Sequence, residues 1–253
     1  MASTNRADLC GGLHHAACVA YVRACDSLHI SPLPILDYLN DNLQDIGGRH
    51  RTKLEESEGQ CHLMMPSYGI GDRGGIALAA FLSNLSLALH EIDVSLNGLK
   101  DSALVALFEG FRQSPDLIRI NVSSNRFGPK SSQALLKYMS FATSLTDLDV
   151  SDCNLRSHTL DKLISNFAVN STSIRKIKFA QNDLSKSGKA LSQLLEANLT
   201  NLTSLDISWT NIAAKEALLV AGSLKKNDSL RVLDLSMNHF GDIFACDALC
   251  SSL

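Results

Sequence analysis

Leu117-Ile-Arg-Ile-Asn-Val-Ser-Ser-Asn-Arg-Phe127 is the stretch that decides the fold. With Leu117 as position 1, apolar residues stand at positions 1, 4, 6 and 11, and an asparagine stands at position 9. The same frame returns at Leu89 (Ile92, Val94, Leu99), Leu145 (Leu148, Val150, Leu155), Ile174 (Ile177, Phe179, Leu184), Leu202 (Leu205, Ile207, Ile212) and Leu230 (Leu233, Leu235, Phe240). A degenerate copy precedes them, with Leu63, Met65 and Ile70. Position 9 reads Tyr68, Asn97, Asn125, Cys153, Asn182, Thr210 and Asn238, so the period is 28 or 29 residues. A fixed period of this length marks structural units that stack, because no single unit can bury its own apolar side.

Each unit reads as a strand followed by a helix. Alternation at positions 4 and 6 gives a short strand with one apolar side. Apolar pairs four residues apart then recur in register: Leu78 and Leu82, Leu107 and Phe111, Leu135 and Met139, Leu163 and Phe167, Leu191 and Leu195. That spacing puts both side chains on one helical face, which packs against the back of the strand. Strand plus helix repeated head to tail predicts an α/β solenoid, a right-handed β-α superhelix with a parallel concave sheet and convex helices. At position 9 the chain leaves the strand and the side chain turns inward. An asparagine amide there can bond backbone groups of its own and neighbouring turns, so Asn97, Asn125, Asn182 and Asn238 form a structural ladder. Cys153 and Thr210 do part of that job with a smaller group. Tyr68 cannot, which marks the first unit as a cap.

The solenoid should occupy residues 61–253, as about seven repeats with the first degenerate and the last incomplete. Residues 1–60 read as a helical N-terminal cap and a polar loop. Arg6 to Leu28 carries a helical stripe of Leu9, Leu13, Ala17, Ala20, Tyr21, Ala24 and Leu28. Ser31-Pro32 starts a second helix running to about Ile46. Gly47-Gly48 ends it, and the polar run Arg49 to Gln60 reads as a loop. At the other end, the strand Arg231 to Ser236 is apolar, a partial helix follows, and no polar capping unit is visible. An open parallel edge is expected there. Either the chain is a fragment, or a partner, self-association or a larger assembly covers that end.

Composition narrows the function. Hydrophobic residues make up 45% of 253, and 23 basic against 26 acidic residues leave a net charge of -3. That balance lacks the basic excess of a nucleic-acid binder. No apolar run is long enough to span a membrane; the longest candidate, Ile76 to Leu89, is interrupted by Ser83, Asn84 and Ser86 and reads as one helix. Arg6, Asp8, His14 and His15 break the N-terminus where a signal peptide needs continuous apolar residues. Seven cysteines, an odd number with no C-x-x-C pair, read as buried reduced thiols in a cytoplasmic protein. Six Asn-x-Ser/Thr sequons, at Asn84, Asn121, Asn170, Asn198, Asn201 and Asn227, read as unmodified.

No catalytic, cofactor or metal constellation stands out, and neither an enzyme nor a cofactor is expected. His14 and His15 point to different helical faces. Gly71, Gly74 and Gly75 lack the lysine-serine ending of a phosphate loop.

The candidate site is the concave face, where positions 3, 5 and 7 point outward. Position 3 supplies Glu91, Arg119, Asp147 and Lys176, and position 5 supplies Asp93, Asn121, Asp149, Lys178, Asp206 and Asp234. Position 7 is small: Ser95, Ser123, Ser151, Ala180, Ser208 and Ser236. The result is an acidic band interrupted by a basic rung. Just past the strands, position 8 carries Leu96, Met237 and Trp209, the only tryptophan. Charges on such a wall set the specificity and on-rate of a protein partner, and tryptophan is favoured at binding hot spots.

These repeats resemble the ribonuclease-inhibitor-like class of leucine-rich-repeat proteins, whose 28–29-residue units alternate Asn and Cys at position 9. The resemblance covers residues 61–253 and implies an intracellular scaffold or adaptor that binds a protein through the concave sheet. The N-terminal helices resemble caps of some centrosomal and ciliary proteins of this class, which implies a cytoskeletal or ciliary setting. Asn125-Arg126-Phe127-Gly128-Pro129 resembles a loop of Ran GTPase-activating proteins, the basis of an alternative role as regulator of a small GTPase. A ribonuclease inhibitor of this class would be more acidic, richer in cysteine and longer.

Overall fold

The computed structural model describes residues 15–32, 53–57, 60–85, 88–170, 173–197, 201–241 and 243–251. Helix α1 (His15–Ser27) precedes strands β1 (Lys53–Ser57) and β2 (Gln60–Met64). Helix and strand then alternate: α2 (Gly71–Leu82), β3 (Leu89–Asp93), α3 (Asp101–Phe111), β4 (Arg119–Asn121), α4 (Pro129–Met139), β5 (Asp147–Asp149), α5 (Ser157–Asn170), β6 (Lys176–Lys178), α6 (Gly188–Glu196), β7 (Ser204–Asp206), α7 (Ala214–Leu224), β8 (Val232–Asp234) and α8 (Ile243–Cys250).

One eight-stranded sheet carries the strands in sequence order. From β2 to β8 every pair is parallel, and equivalent repeat positions face one another, as in Ile92↔Ile120 and Leu148↔Ile177. The fold is thus an α/β solenoid with its strands on one side and its helices on the other. Its core runs in rows along the stack. Position 4 contributes Ile92, Ile120, Leu148, Ile177 and Leu205, and position 6 contributes Val94, Val122, Val150, Phe179 and Ile207; all are at most 2% exposed. Burying each of these side chains is worth about 1.5–3 kcal/mol, and each row becomes continuous only through stacking. Helices approach closely where glycine permits: a Cβ on Gly75 would lie 2.7 Å from the Cβ of Ala103 on the next helix.

Three expectations need correction. Lys53–Ser57, inside the expected polar loop, is a strand antiparallel to β2, pairing Leu54 with Leu63 and Glu56 with Cys61. Strand pairing uses backbone groups, so an outermost strand needs no apolar face and hydropathy is silent about it. The run Ile76 to Leu89 is not one helix: α2 ends at Leu82, the Ser83 N–H donates back to the Ala79 carbonyl, and Leu89 begins β3. Of the cysteines, Cys18, Cys25 and Cys153 are buried, but Cys246 and Cys250 are exposed on α8. Helix α1 packs against α2 and adds Ala17, Cys18, Tyr21 and Cys25 to the core. The expected second helix to about Ile46 lies outside the described residues, as do Arg6 to His14 of the first.

Candidate binding face

The concave wall is held from behind by the position-9 file. Oδ1 of Asn125 accepts the N–H groups of Asn97 (3.2 Å) and Leu99 (3.0 Å), both one repeat back. Its Nδ2 donates to the carbonyls of Val94 and Val122 at 2.9 and 3.0 Å. Asn97 does the same for Tyr68 and Ile70, Asn182 for Cys153 and Leu155, and Asn238 for Thr210 and Ile212. Where the file carries Cys153 or Thr210, the backbone takes over. Phe127 N–H donates to the Cys153 carbonyl at 3.1 Å, and Leu184 N–H to the Thr210 carbonyl at 2.9 Å. The smaller side chains cover what is left: Thr210 Oγ1 donates to the Ile207 carbonyl, and Cys153 Sγ lies 3.4 Å from the Val122 carbonyl. Burial pushes the Cys153 thiol far above its ordinary pKa, so it stays protonated.

On the front, position 5 has a structural duty of its own. Asp93, Asn121, Asp149, Asp206 and Asp234 each use Oδ1 to accept the N–H two residues on, at Ser95, Ser123, Ser151, Ser208 and Ser236. This Asx turn takes the chain off the strand. In Asp234, bonds from the Ser236 hydroxyl and N–H hold the carboxyl below the usual carboxylate range, against a small opposing effect of burial.

The second oxygen and the position-3 side chains divide the face in two. From β3 to β6 the charges neutralise one another. His62 Nδ1 sits 2.9 Å from Glu91, Glu91 pairs with Arg119 at 3.2 Å, and Arg119 reaches Asp147 at 3.9 Å. Lys176 bonds Asp147 and Lys178 bonds Asp149, both at 3.4 Å, while Asn121 Nδ2 donates to Asp93 at 2.9 Å. On β7 and β8, Asp206 and Asp234 stand opposite one another in register. Among the described residues neither has an ion pair. Beside them Trp209 is 58% exposed, Met237 59% and Val232 60%.

Position 8 is also the residue where the backbone enters the left-handed region. Ser124, Asp152 and Gln181 occupy it, but so do Leu96, Trp209 and Met237, with φ of 57°, 56° and 58°. Large side chains rarely adopt this conformation.

Sequence reading missed His62, which one period of 29 residues back from Glu91 would have located. It also missed the helix caps supplied across repeats. Asp72 Oδ1 accepts the N–H groups of Lys100 and Ala103 at the start of α3. Asp101 Oδ1 accepts the N–H and hydroxyl of Ser131 at the start of α4, both at 2.7 Å. An aspartate in the first turn of one helix thus caps the next helix. The Asn125–Pro129 motif is taken up in the same region. Asn125 is a ladder rung, Phe127 packs 6.0 Å from the Phe108 ring, Gly128 lies so close to Asp101 that a Cβ would be 2.6 Å from its Cγ, and Pro129 opens α4. Arg126 is exposed, as is Pro129, and lines a shallow depression shared with Lys100 and Asp152.

Among the described residues, no group of three or more His, Cys, Asp or Glu side chains is placed to hold a metal ion. No helix among them is long and apolar enough to cross a membrane.

The Leucine Rich repeat family model matches residues 141–157, 198–215 and 226–243. No curated protein matches the chain. Among solved structures it is similar to actin-binding site 2 of leiomodin-1, at 16% identity and a TM-score of 0.48, over 60% of this chain and 86% of that one. It is also similar to the C-terminal domain of Caenorhabditis elegans tropomodulin, at 13% identity and a TM-score of 0.33, over 77% of this chain and 81% of that one. The three family matches fall on β5, β7 and β8 with Cys153, Thr210 and Asn238, in the same frame as the stacked strands and the ladder, so the chain carries leucine-rich repeats at these units.

Proposed function

We propose that this chain is a protein-binding scaffold whose partner seats on the concave sheet. The observation that carries the reading is the wall itself: parallel strands in register, clamped from behind by the ladder, present outward rows of charged and small side chains. Such a surface is preorganised, so a partner loses little to ordering it. The residues assigned to contact are Glu91, Asp93, Arg119, Asn121, Asp147, Asp149, Lys176, Lys178, Asp206, Trp209 and Asp234. The buried thiols of Cys18, Cys25 and Cys153 support a reducing, intracellular setting. A cytoskeletal assembly, expected from the N-terminal layout, is part of this reading.

The test is crosslinking of the tagged chain in cells followed by mass spectrometry, repeated with Asp149→Lys and Asp206→Lys. The expected result is a partner recovered with the natural chain and lost with the variants. Equal recovery by all forms removes the concave face as the binding surface. A tag that stays wholly diffuse and recovers no structural protein removes the cytoskeletal setting.

A further inference from the structure

The two halves of the concave face differ in what they leave unfinished. From β3 to β6, carboxylates alternate with cations, and an incoming partner would have to break existing pairs to use them. On β7 and β8 the position-5 carboxylates are adjacent and directly opposite in register. Lys178, the register neighbour of Asp206 on β6, is turned to Asp149 at 3.4 Å, and among the described residues no cation stands between Asp206 and Asp234. Like charges facing each other across a strand pair repel. A cation placed between them removes that repulsion.

The apolar side chains are the second, independent sign. Trp209 and Met237 hold the left-handed conformation on neighbouring repeats and remain more than half exposed, and Val232 on the same wall is equally open. In the other half Leu96 alone is bulky at this position, between Ser67 and Ser124, while Asp152 and Gln181 fill it with polar groups that solvent accepts. A bulky residue in that conformation carries a backbone cost, and with more than half of each side chain exposed, burial within the chain offsets little of it. Indole next to carboxylate also has a specific chemistry: the ring face attracts a lysine or arginine head group, and its body covers an aliphatic stem.

We propose that the β7–β8 end of the concave face, built from Asp206, Asp234, Trp209, Met237 and Val232, binds a segment of a protein partner that presents a lysine or arginine next to an apolar side chain. This rests on the concave-face reading and narrows it to one end and one partner chemistry. The cation occupies the space between the two carboxylates, and the apolar neighbour lies on Trp209 and Met237.

Because Trp209 is the only tryptophan of the chain, its emission reports on this place directly. The probes are three synthetic peptides, alternating lysine with leucine, glutamate with leucine, and lysine with serine, titrated into the whole protein at physiological ionic strength. The lysine–leucine peptide should shift Trp209 emission to shorter wavelength and saturate; the other two should bind at least tenfold more weakly. Asp206→Asn with Asp234→Asn should weaken the lysine–leucine peptide at least tenfold. Asparagine serves the Asx turn natively at Asn121, where Oδ1 accepts the Ser123 N–H, so this variant keeps its fold. Glu109→Gln with Glu196→Gln removes the same charge from the helical side and should change binding less than twofold. Trp209→Ser, read by anisotropy of a labelled peptide, should weaken it at least fivefold. Equal loss in the two charge-matched variants overturns the proposal, as does glutamate–leucine binding as well as lysine–leucine. A cellular partner lost on Asp149→Lys but kept with Asp206→Asn and Asp234→Asn overturns this placement and leaves the concave reading standing. A partner insensitive to both removes both.

Discussion

Two files of polar side chains run the length of this solenoid, one behind the sheet and one in front of it, and they do opposite things. The rear file at position 9 is buried: Asn97, Asn125 and Asn182 are 2%, 3% and 6% exposed. Each amide serves backbone groups of two repeats that have no access to water. The front file at positions 3 and 5 is half-buried or exposed, and water can replace any of its bonds. In the rear file a lost side chain strands its partners, whereas in the front file it merely releases them. The chain therefore spends its polar residues on stacking behind and is free to vary them for recognition in front.

The largest effect that would break this contrast is at Asn125. Asn125→Ala leaves the N–H groups of Asn97 and Leu99 and the carbonyls of Val94 and Val122 without their partner, and should cost about 3–5 kcal/mol in urea unfolding. A loss below about 1 kcal/mol would mean the ladder does not hold the repeats together. Cys153→Ala sharpens the comparison within the same file. Since Phe127 already bonds the Cys153 backbone, only weak sulfur contacts and a small void are at stake, and about 1–2 kcal/mol is expected.

Asp101 belongs to neither file and should lie between them in effect. Asp101→Ala removes the cap of α4 at about 1 kcal/mol. This contribution depends on pH. Burial works to raise the Asp101 pKa, but bonds from the Ser131 N–H and hydroxyl, with the N–H groups of Lys130 and Gly128, outweigh it and hold the carboxyl below its ordinary value. A carboxyl depressed in the folded state stabilises fully above its unfolded pKa of about 4 and loses that effect as pH falls through the folded value. The stability gap between natural chain and Asp101→Ala should be constant near neutrality and close below about pH 4, as followed by thermal unfolding across pH.

In the front file, Arg119→Ala severs pairs to Glu91 and Asp147 and should change stability by about 0.5 kcal/mol or less, and less again in high salt. Smallest of all, Asp206→Asn with Asp234→Asn should be neutral or slightly stabilising by urea unfolding, because it removes facing like charges of which neither makes an ion pair among the described residues. A clear destabilisation there would mean the two carboxylates hold the fold rather than face a partner.

The repeat frame itself could be read from residues alone, because apolar positions 1, 4, 6 and 11 are dictated by burial and recur six times with little variation. The alternation of Asn125, Cys153, Asn182 and Thr210 was readable as a ladder position. That the backbone carbonyls of Cys153 and Thr210 replace the missing amide oxygen was not, since backbone geometry leaves no trace in side-chain type. The antiparallel strand Lys53–Ser57 was missed for the same reason: pairing at an edge asks nothing of the side chains. Asp72 and Asp101 looked like first-turn residues of their own helices, and only stacking brought each to the N-terminus of the next.

By itself, then, the sequence determined the period, the strand-helix unit and which side chains face the core, because those follow from local geometry and the cost of exposing apolar surface. The tertiary structure alone decided which charges on the concave wall meet one another. Glu91, Arg119, Asp147 and Lys176 come together 28 or 29 residues apart through strand register, and the same register leaves Asp206 and Asp234 facing each other with no cation between. Pairing between charges depends on distance through space, which a linear order contains only after the coils are stacked.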